Sequence, residues 1–119
     1  MKVANCVDCH TTVDDNHQAI PGHFLAGGNP FPVEGKGKSY TANITSDKAT
    51  GIGAYTDDDI LRVLNQGVAK SGRPLLGMPW RNYVEMTEED KRAIVVALRA
   101  VPPVFNAVPP PDLLAENRP

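Results

Sequence analysis

The sequence predicts an all-α domain of a few short helices joined by long glycine- and proline-rich loops that wrap around one bound group. Three observations carry that expectation. Two segments, TDDDILRVLNQG and TEEDKRAIVVALRAV, place apolar residues at helical spacing behind a polar cap. From Ile20 to Lys38, glycine and proline recur in PG, AGG, NPFP and EGKGK, so short turns rather than long elements are expected there. Aromatic residues make up only 6% of the 119 residues, with a single tryptophan, which is thin for the core of a loop-rich fold. A planar cofactor would supply the missing apolar volume.

Taken in order, the N-terminal stretch offers a short helix ending at Cys6 and Cys9. The next helix starts at Thr56 or Asp57 as N-cap, carries acidic residues in its first turn, and has Ile60, Leu61, Leu64 and Val68 at helical spacing; Gly67 is its natural terminator. The last helix is capped by Thr87, and Ala93, Ile94, Ala97, Leu98 and Val101 mark its buried face. Pro102 and Pro103 stop it. The chain therefore divides into a domain over residues 1–103 and a proline-rich tail over 104–119, read as a polyproline-like linker or wrapping segment, in which the AVPP of Ala100 recurs at Ala107.

Composition narrows the function. The length suits one domain and is too short for two. With 41% hydrophobic and 22% charged residues, the chain belongs to neither the disordered nor the membrane class. A net charge of -2, from 12 basic and 14 acidic side chains, gives no reason to expect nucleic acid or an anionic membrane as partner. No run reaches the roughly eighteen apolar residues of a membrane span, and MKVANC has no signal-peptide core, so any export signal or anchor is expected outside this chain.

The chemistry is concentrated in CVDCH. Cys6 and Cys9 stand about one helical turn apart, so both thiols project from one side and can add to the two vinyl groups of haem, while His10 turns its imidazole to the iron. The competing readings are a disulfide, a redox-active dithiol, or half of a zinc site completed by His17 and His23. A thioredoxin-type dithiol wants an alternating strand-helix context, which is absent, and the histidine spacing fits no familiar zinc site. One covalently attached haem c is the reading that uses all three residues.

An iron held by one histidine has a sixth position to fill. Met78 sits in GRPLLGMPW, where glycine and proline hold the chain out of regular structure and let a thioether point into a pocket. Met86, the competitor, directly precedes the Thr87 cap, a place that usually packs an apolar side chain against the helix start. Met1 is terminal, and His17 and His23 follow the attachment motif too closely to reach the far face without a sharp excursion.

These residues resemble the class I c-type cytochromes: an attachment motif, a loop-rich middle, a late methionine and a closing helix come in that family's order. In more detail, AGG at Ala26, YTANITSDKATGIGAYTDDDI and GRPLLGMPWRNYVEMTEEDKRAIVVALRAVPP are similar to the haem domains of the multihaem cytochrome subunits that serve membrane-bound alcohol, gluconate and aldehyde dehydrogenases. The resemblance covers about residues 4 to 104. It implies a cytochrome c fold, thioether links at Cys6 and Cys9, and His10 and Met78 as the axial ligands. By the same resemblance Pro21 is placed to receive the Nδ1 hydrogen of the ligand histidine, and Tyr40, Asn43, Trp80 and Arg81 flank the segments expected to wrap the haem, with donors able to reach a propionate. Two departures stand out: only five residues precede Cys6, where the family has a fuller helix, and one attachment motif is present where the similar subunits carry several.

With two protein ligands the iron has no open site, so the expected function is electron transfer between redox partner proteins, a donor and an acceptor such as a dehydrogenase, an oxidase or another respiratory or photosynthetic complex, without catalysis. The rival is a haem-based sensor or ligand-binding domain with a labile sixth ligand, with a peroxidase-like enzyme behind it. Haem attachment to such a motif belongs to the outer side of the bacterial inner membrane, so the periplasm or that membrane face is the expected compartment.

Overall fold

The computed structural model describes residues 6–33, 35–75 and 77–113. Its elements run α1 (Cys6–His10), β1 (Pro30–Val33), β2 (Gly37–Tyr40), α2 (Asp57–Gln66), α3 (Arg81–Val84), α4 (Glu88–Arg99) and β3 (Asp112–Leu113). Whatever helix precedes Cys6, the Met1 position and the end of the tail beyond residue 113 lie outside the described residues.

The two long helices form where their caps predict. Thr56 accepts from the Asp59 N–H while the Asp59 carboxylate accepts from the Thr56 N–H, a reciprocal capping box, and Gly67 closes α2 in the left-handed conformation with φ of 66°. Thr87 caps α4 by accepting from the Asp90 N–H. The helices run antiparallel, because Arg99 at the end of α4 donates to Asp57 Oδ1 (2.7 Å) and to the Tyr55 carbonyl (2.8 Å) at the start of α2, whereas Lys91 near the start of α4 donates to Asn65 Oδ1 (2.6 Å) near the end of α2.

Between them lies the core: Ile60, Leu61 and Leu64 of α2 against Ile94, Val95 and Leu98 of α4. Burying each of these side chains contributes about 1.5–3 kcal/mol. The buried face of α4 differs from the sequence expectation. Val95 and Lys91 face inward, whereas Ala93 is exposed, since the stripe that meets α2 is set by the larger side chains.

The all-α expectation needs correction. Residues of the glycine- and proline-rich stretch and of the tail build a small antiparallel sheet of order β1-β2-β3. Pro30 and Pro32 disguise β1 in the sequence, yet as an edge strand it has one side that needs no amide donors. The hairpin between β1 and β2 turns through Gly35 and Gly37, both at positive φ, with Lys36 N–H donating to the Val33 carbonyl (2.8 Å). The one-turn helix α3 after Pro79 is also unmarked by any cap or periodicity.

Residues 104–106 lie against the body. Val104 N–H donates to Thr45 Oγ1 (3.1 Å), and the Val104 carbonyl accepts from the buried Asn43 amide (2.9 Å). Farther on, β3 adds to β2 through the pairs Gly37 with Leu113 and Lys38 with Asp112.

Candidate haem-binding site

The attachment motif forms α1, so Cys6 and Cys9 do lie about a turn apart on one short helix. Cys9 is exposed and Cys6 is half-buried, packed against the α2/α4 core, and its burial pushes the Cys6 thiol pKa up. The two are not joined to each other in a disulfide. The disulfide reading therefore has no support in the geometry.

His10 ends α1 in a buried position, only 9% exposed. Its backbone carbonyl accepts from the Gly27 N–H (2.6 Å), and its ring Nδ1 lies 2.7 Å from the Ala42 carbonyl oxygen. A carbonyl can only accept, so Nδ1 carries the hydrogen and Nε2 keeps its lone pair. Desolvation outweighs the bond to Ala42 and lowers the imidazole pKa, which favours the neutral ring that a metal requires. The arrangement is that of a ligand histidine whose second nitrogen is oriented by a backbone acceptor.

Met78 and Met86 are both half-buried and both pack, with Cys6 and Tyr83, against the same α2/α4 core. Met78 reaches it from an irregular segment: Gly77, at φ of 80°, lies against the Phe31 ring of β1, and Trp80 N–H donates back to the Met78 carbonyl (2.8 Å). His17 instead occupies an exposed turn at φ of 60°, and His23 turns its Nδ1 to the Pro21 carbonyl at 3.2 Å. Among the described residues, no group of three or more His, Cys, Asp or Glu is placed to hold a metal ion by itself. The zinc reading falls with it. A neutral buried imidazole, two thiols on one helix and half-buried thioethers at a common apolar face form a donor set that suits a covalently attached haem.

No family model matches the sequence. Curated relatives do. The chain is 36% identical over 110 residues to the gluconate 2-dehydrogenase cytochrome c subunit of Pantoea cypripedii, a match over 89% of this chain and 23% of that protein. It is 33% identical over 116 residues to the cytochrome c subunit of the quinone alcohol dehydrogenase of Gluconacetobacter polyoxogenes, over 94% of this chain and 23% of that one. The chain is a cytochrome c domain. The fructose dehydrogenase cytochrome subunit of Gluconobacter japonicus adds 36% identity over 92 residues, or 76% of this domain and 18% of that subunit. This cytochrome c domain thus spans less than a quarter of the length of these relatives.

Within the cytochrome c domain, several expected pocket residues are otherwise engaged. Pro21 does not receive the His10 hydrogen; its carbonyl is taken by His23, and Ala42 stands in the role expected of it. The Asn43 amide donates to Thr50 Oγ1 and to the carbonyls of Val104 and Asn106, so its hydrogens tie a loop to the tail. Trp80 covers Gly67 at the end of α2, and the Arg81 guanidinium stacks on its ring at 4.9 Å. Lys38 lies over the Tyr40 ring at 5.8 Å. Sequence reasoning missed Ala42, since a backbone carbonyl leaves no signature in side-chain identity. It also missed Tyr83, whose pKa is raised by burial and by the thiols of Cys6 and Cys9.

Proposed function

We propose that this cytochrome c domain carries electrons one at a time through a single haem c, attached at Cys6 and Cys9, with His10 and Met78 as axial ligands. Bound haem supplies the Fe(III)/Fe(II) couple. The protein supplies the rest: α1 carries the two thiols about a turn apart, the bond to Ala42 holds the His10 ring through Nδ1 and leaves Nε2 as the donor atom, and the segment after Gly77 brings Met78 to the same core that backs Cys6. Two protein ligands exclude substrate from the metal, so the domain transfers electrons and is not itself an enzyme.

The observation that carries this reading is the His10 ring, buried, neutral and hydrogen-bonded through Nδ1 to Ala42. The relatives are cytochrome subunits of gluconate, alcohol and fructose dehydrogenases, which supports a dehydrogenase as electron donor and a respiratory acceptor downstream. Placement in the periplasm or on the outer face of the bacterial inner membrane follows from where such haem is attached. No helix among the described residues is long and apolar enough to cross a membrane.

The test is the visible spectrum of the ferric protein, read for the weak long-wavelength band given by methionine sulfur on haem iron. The band is expected to disappear in Met78→Ala and to survive in Met86→Ala. A five-coordinate reduced haem that binds carbon monoxide at once in the wild type would overturn the carrier function.

A further inference from the structure

Two backbone segments hold His10. The Gly27 N–H donates to its backbone carbonyl at 2.6 Å, and the Ala42 carbonyl accepts from its ring at 2.7 Å. These segments are pressed together: Gly28 N–H donates to the Thr41 carbonyl (2.7 Å), and a Cβ at Gly27 would overlap the carbonyls of Thr41 and Ala42. Neither segment belongs to a long helix; they continue from the β1/β2 pairing and are tied to each other by Thr41 N–H donating to the Asn29 carbonyl (2.9 Å) and Ile44 N–H donating to the Leu25 carbonyl (3.0 Å).

One residue of the tail adds a further tie between them. Asn106 Nδ2 donates to the Ala26 carbonyl (3.0 Å), with the Gly27 carbonyl farther off at 3.5 Å, while the Asn106 carbonyl accepts from the Asn43 amide (3.2 Å). Its N–H donates to Thr50 Oγ1 (3.0 Å), which itself accepts from Asn43. The residues on either side face away: Phe105 is 74% exposed and Ala107 is exposed. The same tail is anchored again where β3 pairs with β2.

We propose that Asn106 is a positioning residue for His10: it clamps the 26–27 and 42–43 segments and thereby sets how firmly the Nδ1 hydrogen is shared with Ala42. The proposal rests on the reading of His10 as iron ligand. A firmly shared Nδ1 hydrogen makes the ring a stronger donor to iron and favours the ferric state, so the tail tunes the potential of the group held at the opposite end of the sequence.

The experiment uses the haem-loaded protein as wild type, Asn106→Ala and, as a control in the same tail, Phe105→Ser. Three quantities are read: the exchange rate of the His10 Nδ1 hydrogen by NMR, the midpoint potential, and the melting temperature. Asn106→Ala is expected to speed exchange by up to about tenfold, the worth of one lost hydrogen bond, and to raise the potential. Phe105→Ser is expected to change neither. A melting temperature that falls while exchange and potential stay at wild-type values would show a merely structural tie and overturn the proposal.

If Asn106→Ala does not fold, the wild type decides by itself. The Asn106 amide hydrogens and the His10 Nδ1 hydrogen opening together, with the same denaturant dependence, supports the clamp; fast exchange at Asn106 beside a protected His10 overturns it. Failure of the ligand reading is distinct, because the His10 ring signals of the wild type would then lack an iron-induced shift.

Discussion

His10 donates its Nδ1 hydrogen to the carbonyl of Ala42 at 2.7 Å, across 32 residues of sequence. Gly27 lies against that same carbonyl and holds the His10 backbone from the other side. Gly27→Ala should therefore cost more than backbone strain. Gly22 separates the two contributions: its φ is +81°, against +70° at Gly27, but a Cβ there meets only open space. Gly22→Ala is expected to lose about 1 kcal/mol of stability from the left-handed conformation alone, and Gly27→Ala roughly 2–4 kcal/mol from conformation plus overlap. Urea unfolding of the two variants gives the comparison, and equal losses would mean that the 42-segment yields freely.

Lys91 is a charged side chain in the wall of the core, 5% exposed, with Asn65 Oδ1 at 2.6 Å and the exposed Glu88 carboxylate at 3.8 Å. Removing Asn65 leaves a buried ammonium with only the more distant Glu88 carboxylate, whereas replacing the lysine removes the need for a partner. Asn65→Ala is expected to destabilise by about 1.5–3 kcal/mol, the range for a hydrogen bond to a charged group. Lys91→Met, of similar length, is expected to be near neutral or stabilising. Denaturant melts that ranked the two variants the other way round would mean that the ammonium attracts more than its desolvation costs.

Acid should loosen α2 at its N-terminus. The Asp59 carboxylate accepts from the Thr56 N–H at 2.9 Å, and that bond chiefly holds its pKa below the ordinary 3.8. A depressed folded-state pKa means stabilisation that is complete above the ordinary value and is lost as pH falls through the folded one. Asp59→Asn should thus melt below the wild type at neutral pH, and the gap should close as the solution is acidified past the folded-state pKa. A gap that stays constant across that range would assign the effect to helix geometry, not charge.

The helices were legible because caps and apolar spacing act locally: Thr56, Gly67 and Thr87 each mark a boundary through bonds made within four residues. The CVDCH motif was legible for the same reason, since its chemistry is contained in five positions. The sheet was not, because β1 carries Pro30 and Pro32 and β3 is two residues in a proline-rich tail; only pairing across the chain makes them strands. Ala42 and Asn106 were hidden for a related reason. Their roles are carried by bonds spanning 32 residues and about 80 residues respectively, and in Ala42 by an atom every residue has.

The segment that carries Met78 is in contact with the first strand. Gly77 takes φ of +80° and lies against the Cε2 side of the Phe31 ring, so a methyl group at this position meets both a strained backbone and the ring. Gly77→Ala should displace the turn and weaken the methionine band in the ferric spectrum, while the α2/α4 core keeps the protein folded. Phe31→Ala in the same background removes the overlap but leaves the strain, so the double variant is expected to recover part of the band. Full recovery would assign the whole defect to the ring, and no recovery would assign it to the backbone. An unchanged band in Gly77→Ala would mean that the sulfur on the iron is not delivered by this turn, and Met86, which packs on the same core face, would take its place.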